Sequence, residues 1–354
     1  MTAFWSTLSS LMKHRLAWPL VTLFLLLVLN AAFNRTFLHL EWRDGHLYGS
    51  LIDILNRAAP LMLVSLGMTL VIATRGIDIS VGAVVAISAA LAAVMIGGSL
   101  VMNNGVATQV SRFPMPVAIA AALGVALLCG LWNGFLVAKV GMQPIIATLI
   151  LMVAGRGIAQ LITGGQIITI YYAPYFFIGN GYLLGLPFAL FIAAAVFVVL
   201  HLLTTRTALG LFIQAVGVNP SAAHVAGVPA RRITLWVYAF CGFCAGVAGL
   251  LVSSNVKSAD GNNAGQLMEL DAILAVTLGG TALTGGTFSL AGSVIGALII
   301  QTLTYAIYSL GVPPEVNLVV KAVVVFAVML MQSPEFRHSV RAWVQRAPAA
   351  GAGE

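Results

Sequence analysis

The chain has 354 residues, of which 60% are hydrophobic and 8% are charged, and its mean hydropathy is +1.02. Soluble domains carry about 25% charged residues, so this composition excludes a soluble globular protein and indicates a polytopic membrane protein. A helix needs about 20 apolar residues to cross a bilayer, which leaves room for about ten spans. The net charge of +7 then reflects which side of the membrane the loops face and does not indicate binding to nucleic acid.

The apolar runs, taken in chain order, predict an all-α protein of about ten transmembrane helices in a single domain, 1–354. The expected spans are 16–32, 51–74, a third that ends near 98, 117–138, a fifth that begins at 143, 186–203, 233–253, a short segment at 271–283, 288–310 and 317–331. Basic residues concentrate on one side of this topology. The positive-inside rule therefore predicts that both termini, including a basic tail at 333–354, face the cytoplasm.

Several ionisable side chains interrupt the apolar runs. Asp53 and Arg57 are one helical turn apart, so they can neutralise each other near an interface. Asp78, followed by Ser80, favours a helix start with its carboxylate near the positive end of the helix dipole, in preference to a substrate role. Arg156 is predicted to be either an ion-pair anchor or part of a polar pathway.

The segment 205–232 is the one long polar passage, and its residues predict two short helices. Gly217 is expected to end the first helix, because glycine accepts a left-handed conformation at little cost. Asn219 is expected to cap the second helix, with Pro220 as its first residue and Gly227 at its end. The pattern is compatible with an ordinary interfacial loop and with a docking surface for a soluble partner.

The residues that would carry catalysis are not clustered. The six histidines are scattered, and the sequence contains no zinc-protease, nucleophile-elbow or phosphate-loop motif. The carboxylates Asp53, Asp78 and Asp271 fall near predicted span ends, which weakens the case for an ion-coupled carrier. Cys241 and Cys244 have CxxC spacing inside an apolar run and are predicted to be packing residues. These observations favour a transport protein without metal or cofactor, and any nucleotide-driven step must come from a separate chain.

Four long motifs carry a resemblance to a known family. They are DILNRAAPLMLVSLGMTLVIATRGIDISVGAV at 53–84, QPIIATLILMVAGRGIAQLITGGQI at 143–167, TALGLFIQAVGVNPSAAHVAGV at 207–228 and ELDAILAVTLGGTALTGGTFSLAGSVIGALIIQ at 269–301. Through them the chain resembles the permease subunits of bacterial ABC importers for monosaccharides, the ribose-permease family. Two shorter stretches, NNAG at 262–265 and PPEVNLVVKAVVV at 313–325, resemble more narrowly the galactofuranose-type permeases.

The resemblance implies a type II ABC importer permease architecture in the lipid bilayer of the bacterial inner membrane. Its implied partners are a cytoplasmic ATP-binding subunit, a periplasmic sugar-binding protein and a second permease, either a related chain or another copy. By the same resemblance, the residues that couple the 205–232 segment to the ATPase would be Gln214, Gly217, Asn219, Pro220, Ala222, Ala223 and Gly227. Gln214 stands where relatives often have Glu, so a neutral hydrogen bond would replace a salt bridge.

Two further sets of contacts are expected. A sugar pathway needs weak, replaceable hydrogen-bond partners, and the candidates are Asn133, Thr277, Gln301 and Thr302, each of which also suits helix packing. Contacts with the binding protein are expected at Tyr171, Tyr172, Asp260, Asn262 and Asn263. The alternative functions are an ABC permease of the same architecture for a nucleoside, an autoinducer or an amino acid, and an ion-driven carrier.

Overall fold

Long apolar runs form helices here because a helix satisfies every backbone hydrogen bond within one segment. The computed structural model describes residues 16–34, 36–43, 45–97, 99–103, 106–311 and 313–332. The expected basic tail at 333–354 and the basic residues before residue 16 lie outside the described residues. The helices are α1 (Ala17–Phe33), α2 (Ser50–Ala73), α3 (Val81–Ile96), α4 (Met115–Phe135), α5 (Pro144–Thr163), α6 (Ala173–Asn180), α7 (Phe188–Arg206), α8 (Leu209–Val218), α9 (Pro220–Val225), α10 (Ala230–Val256), α11 (Met268–Leu278), α12 (Leu290–Ser309) and α13 (Pro314–Gln332).

Short antiparallel strand pairs lie in the connections between helices. They are β1 (Glu41–Arg43) with β2 (His46–Tyr48), β3 (Ser99–Asn103) with β4 (Val106–Val110), β5 (Ile168–Thr169) with β8 (Ser258–Ala259), and β6 (Tyr182–Leu183) with β7 (Leu186–Pro187). Three of these sheets are local hairpins. The β5–β8 pair joins segments far apart in the chain, with Ile168 opposite Ala259 and Thr169 opposite Ser258.

Helix α2 lies at the centre of the bundle. It is apolar on all sides and almost completely buried from Ala58 onward, as expected of a core helix. Helices α7, α10, α11 and α12 pack around it. In contrast, α4, α5 and α7 expose large apolar side chains such as Leu128, Val153 and Val199. A lipid environment accommodates such exposed apolar faces, whereas water would not.

Six of the described helices are long and apolar enough to cross a membrane, by length and composition. They are α2, α4 with its π-helical extension Leu136–Val140, α5, α7, α10 and α12. The apolar helices α1 and α3 have 17 and 16 residues, somewhat less than a full span. The all-α membrane architecture is thereby confirmed, and the figure of ten spans stays a prediction. The segment predicted to be short is α11, which has 11 residues.

Candidate functional site

The 205–232 segment forms two short helices, α8 and α9, as its residues predict. One detail of the prediction is wrong, because α8 continues through Gly217 and ends at Val218. Asn219 then caps α9: its side-chain oxygen accepts hydrogen bonds from the main-chain N–H groups of Ser221 at 3.1 Å and Ala222 at 3.0 Å. Pro220 is the first residue of α9, where its missing N–H costs nothing.

The end of α9 is a Schellman turn built on Gly227. The Gly227 N–H donates to the carbonyl of His224 at 3.0 Å, and the Val228 N–H donates to the carbonyl of Ala223 at 2.9 Å. Gly227 has φ +82°, which a residue with a side chain adopts only with strain. The predicted stop at Gly227 is therefore confirmed, and α9 is held at both ends by local hydrogen bonds.

Gly217 is needed for close packing rather than for a turn. A Cβ at this position would overlap main-chain atoms of Ala73, at the end of α2, and of Gly286, in the turn before α12. The N–H of Gly286 in turn donates to the carbonyl of Ala73 at 2.9 Å. The end of α8 thus lies directly against the ends of two elements of the bundle.

Arg75 ties these three segments together. Its Nη2 donates to the carbonyl of Val218 at 2.6 Å, and its Nε donates to the carbonyl of Thr284 at 3.0 Å. The sequence analysis assigned no role to Arg75, so this contact was missed. One signal in the sequence was the position of Arg75 in a tight reversal between two apolar runs. A guanidinium group is planar and can bind two carbonyl acceptors at once, so it suits such a position.

The exposure of the 205–232 segment shows which of its residues a partner could touch. Asn219, Pro220, Ala222 and Gly227 are exposed, Gln214 is half-buried, and Gly217 and Ala223 are buried. The sequence reasoning missed three strongly exposed apolar side chains, at Leu211 (70%), Val218 (62%) and Val225 (89%). Their signal was their apolar character within a polar passage. A grouping of exposed apolar residues is typical of a surface that a partner covers.

Asn133 lies inside the bundle. It is fully buried, and its Nδ2 donates to Ser80 Oγ at 2.8 Å and to Asp78 Oδ1 at 3.4 Å. Asp78 does not cap α3 with its side chain; its carboxylate accepts the N–H and the O–H of Ser80, at 3.0 and 2.7 Å. Asn133 Oδ1 has no hydrogen-bond partner among the described residues.

The other three pathway candidates differ in their surroundings. The hydroxyl of Thr277 donates to the carbonyls of Ile273 and Leu274 within its own helix, and Thr302 is buried. Gln301 is half-buried and lines a cavity at the opposite end of α2 from Arg75. The four candidates therefore do not form one site, and Gln301 is the one that lines the polar cavity beside the start of α2.

The five candidates for contact with a binding protein come from two stretches that the β5–β8 pair brings together. The N–H of Ile170 donates to the carbonyl of Lys257 at 2.9 Å, which extends this pairing toward Tyr171 and Tyr172. Tyr171 is 43% exposed, and Asn262 and Asn263 are also exposed.

Arg156 holds the turn that contains these asparagines. Its Nη1 donates to the carbonyls of Asn262 at 3.2 Å and Ala264 at 2.5 Å. Asp260 accepts from the Asn262 N–H at 2.8 Å and from Asn263 Nδ2 at 2.6 Å. Burial raises the pKa of Asp260, but these hydrogen bonds outweigh it and leave the pKa below its ordinary value. Asp260 therefore carries a negative charge at neutral pH.

Comparison with known proteins identifies the family. A family model described as the permease component of the branched-chain amino acid transport system matches residues 50–329. The chain belongs to this permease family. It is therefore a multi-pass membrane protein and a transport component.

Three curated relatives are similar to the permease over most of its length. The galactofuranose transporter permease of Escherichia coli K12 is 50% identical over 329 residues, which cover 92% of this chain and 93% of the relative. The fructose import permease of Bifidobacterium longum is 40% identical over 342 residues (95% and 92%), and the ribose import permease of Bacillus subtilis is 36% identical over 315 residues (88% and 91%). No solved structure matches the chain.

Proposed function

We propose that the permease forms the membrane pathway of an ATP-driven importer for a monosaccharide of the galactofuranose type. The proposed identity of the cargo rests on the 50% identity, over 92% of the chain, to a galactofuranose transporter permease. The more distant relatives named for fructose and ribose import support the wider class of sugar. The proposal is thus one transmembrane domain that moves an uncharged polyhydroxyl cargo across a bilayer.

The energy comes from a separate chain in this proposal. A cytoplasmic ATP-binding subunit hydrolyses ATP, and a second permease, either a related chain or another copy, completes the pathway. A periplasmic binding protein delivers the sugar. The complex lies in the bacterial inner membrane with both termini of the permease in the cytoplasm. This orientation agrees with the concentration of basic residues on the side of the membrane that carries the 205–232 segment.

Helices α8 and α9 are the proposed contact with the ATP-binding subunit. Support comes from their exposed apolar side chains and from the direct contact of Gly217 with the ends of α2 and of the turn before α12. When the two ATP-binding subunits close, α8 and α9 move, and Arg75 carries that movement to both elements. The bundle then alternates between outward and inward access.

The binding protein contacts the opposite side in this proposal. The surface formed by β5, β8 and the turn at 260–265 brings Tyr171 and Tyr172 to the same side as Asp260, Asn262 and Asn263. Aromatic and amide side chains of this kind suit a polar, transient interface. The charge of Asp260 would speed association with the binding protein and thereby raise its affinity.

Uptake in proteoliposomes tests the proposal. The vesicles contain this permease with its ATP-binding subunit and second permease, ATP is supplied on the cytoplasmic side, and binding protein loaded with galactose is added outside. We expect galactose uptake that needs ATP and persists when an uncoupler abolishes ion gradients. Uptake that collapses with the uncoupler at constant ATP would contradict the energy source, and uptake of leucine instead of galactose would contradict the cargo.

A further inference from the structure

A polar cavity of about 620 Å³ opens between α2 and α12, at the opposite end of α2 from Arg75. Its lining includes Asp53, Arg57, Gln301, Thr304, Tyr305 and Tyr308. Two other cavities, of about 460 and 340 Å³, are lined almost entirely by apolar side chains. The cavity between α2 and α12 is thus more polar than these two.

The polar residues of α12 form a stripe. Gln301, Thr304, Tyr305 and Tyr308 are spaced i, i+3, i+4 and i+7, so they share one face of the helix. Their neighbour Thr302 points elsewhere and is buried. With a rise of about 1.5 Å per residue, Gln301 lies about 12 Å deeper than the end of α12. The stripe therefore leads from the mouth of the cavity toward the middle of the span.

Many of these groups still have hydrogen-bonding capacity. Arg57 Nε donates to both carboxylate oxygens of Asp53, at 3.0 and 2.9 Å, while its two terminal NH₂ groups have no partner among the described residues. The amide of Gln301 and the hydroxyl of Tyr308 likewise have no hydrogen-bond partner within the part of the chain that the structure describes. Tyr305 is fixed in place, since its hydroxyl donates to Ser50 Oγ at 2.6 Å. The cavity thus presents free donors and acceptors around a rigid aromatic ring.

The charge of the lining indicates an uncharged ligand. Asp53 and Arg57 neutralise each other at 2.9 Å, so the cavity offers no net charge to an ion. Polar groups inside a span are costly unless they face water, a partner or a substrate. A guanidinium, a carboxylate and a primary amide can each bind two hydroxyl groups at once, and tyrosine rings pack against the C–H faces of a sugar ring. A polyhydroxyl ring matches this combination.

We propose that this cavity is the outer binding site for the cargo monosaccharide, which rests on the proposed function of the permease as a sugar importer. A second cavity of about 590 Å³ shares Thr304 and Tyr308 with it and contains a further neutral pair, in which Lys321 Nζ donates to Asp271 Oδ2 at 2.6 Å. This pair places further polar groups on α11 and α13, within a lining that is otherwise mostly apolar. Sugar released outside enters past Tyr308 and reaches Gln301 before the bundle changes its access.

Protection of a reporter cysteine tests the site directly. In a Cys129→Ser background, Tyr308→Cys is exposed to a small, membrane-impermeant thiol reagent in the assembled complex, with and without galactose. At a sugar concentration of about ten times the dissociation constant, we expect modification to slow by about tenfold. Leu310→Cys, which is exposed two residues beyond Tyr308 but outside the lining, is the matched control and keeps its rate. Betaine, which has no hydroxyl groups, should protect neither position.

A second variant connects the protection to the polar stripe. In a Gln301→Leu background the protection of Tyr308→Cys should be lost, whereas Gln143→Leu, which removes an exposed amide outside the cavity, should leave it unchanged. If Tyr308→Cys does not assemble, Thr304→Cys reports on the same cavity.

Three results would overturn the site in a complex that imports galactose. They are a Tyr308→Cys that galactose does not protect, equal protection at Leu310→Cys, and a Tyr308→Cys that the reagent cannot reach because a partner chain covers it. A complex that hydrolyses ATP but imports no sugar would instead overturn the proposed function, and the site with it.

Discussion

Asn219 fixes the turn between α8 and α9 by serving both helices. Its main-chain N–H donates to the carbonyl of Ala215 at 3.0 Å and so completes α8. Its side-chain oxygen accepts the first two free N–H groups of α9, those of Ser221 and Ala222. A single residue therefore sets the angle at which α9 leaves the bundle.

Replacement of Asn219 by Ala should loosen the start of α9. Loss of a capping side chain costs about 1 kcal/mol, which is about a fivefold change in an equilibrium constant. We expect the amide hydrogens of Ser221 and Ala222 to exchange about fivefold faster, measured by hydrogen exchange on the intact permease. Asn219→Asp keeps the acceptor and should exchange at the native rate; equal rates in the Ala variant would show that the cap does not matter.

Gly217→Ala should destabilise the packing of α8 against the bundle. The new methyl group would meet main-chain atoms of Ala73 and Gly286, which cannot rotate away as a side chain could. Overpacking of this kind costs about 1–3 kcal/mol, so the midpoint of thermal unfolding of the purified permease should fall. Gly157→Ala is the matched control because a Cβ there meets open space. A midpoint that falls no further than in the control would argue against the close contact.

The residues of the 205–232 segment show what local sequence can and cannot predict. Asn219, Pro220 and Gly227 were predicted correctly because caps and left-handed turns depend on neighbours within a few residues. The stop at Gly217 was wrong because that glycine is required by contacts with Ala73 and Gly286, which are distant in the chain. A glycine is needed at this position because of packing in the folded chain and not because of the local backbone conformation.

At the scale of elements, α8 is joined to the bundle by the turn that contains Arg75. This residue has φ +65°, a left-handed conformation that side chains rarely adopt. The conformation persists because the guanidinium group binds the carbonyls of Val218 and Thr284. Three segments that are separated by many residues therefore move together.

Arg75→Lys should weaken this connection while keeping the charge. A lysine presents a single ammonium group and cannot reproduce the planar fork that reaches two carbonyls. We expect the amount of sugar imported per ATP hydrolysed to fall severalfold in the reconstituted complex. Arg231→Lys, which changes an exposed arginine in the first turn of α10, serves as the control. A native ratio in Arg75→Lys would exclude a transmitting role for this residue.

The turn at 260–265 is a second element whose role can be tested. Asp260→Lys reverses the charge that this turn carries at neutral pH, and it should raise the concentration of binding protein needed for half-maximal ATP hydrolysis by about tenfold. Glu41→Lys reverses a charge on an exposed strand elsewhere and should have little effect. If Asp260→Lys responds to the binding protein like the native chain, the docking surface lies elsewhere.

Element bounds were largely predictable, whereas their partners were not. Apolar length alone predicts the spans that became α2, α7 and α12 to within a few residues. The sequence also showed that α11 is short. The pairing of β5 with β8 and the attachment of the 260–265 turn to Arg156 depend on side chains that are far apart in the chain. No periodic pattern records such contacts.

At the scale of the whole molecule, α2 connects the two proposed working ends. Its 24 residues span about 36 Å, with the polar cavity beside its first turns and Arg75 just beyond its last. Burial along most of its length packs α2 closely against its neighbours, on both sides of Pro60. We expect a change at α8 and α9 to reach the mouth of the cavity through these packed contacts.

The pathway candidates show what the sequence could not predict at the scale of the whole molecule. Sequence polarity selected Asn133, Thr277, Gln301 and Thr302 alike, but only the packing of the bundle separates Gln301 from the others. The helical spacing of residues 301, 304, 305 and 308 is present in the sequence, but the sequence analysis selected only Gln301 among them. Their apposition to Asp53 and Arg57 could not be predicted, because it depends on how α2 and α12 pack.

Stimulation of ATP hydrolysis by sugar-loaded binding protein is the most direct test of the central claim, that α8 and α9 couple this permease to an ATPase. The rate is compared between the native complex and Gly217→Pro, in which proline breaks α8 at a cost of about 3 kcal/mol. We predict that galactose-loaded binding protein accelerates hydrolysis in the native complex and has no effect in the variant, although the variant still inserts into the membrane. Equal stimulation in both complexes would contradict the account.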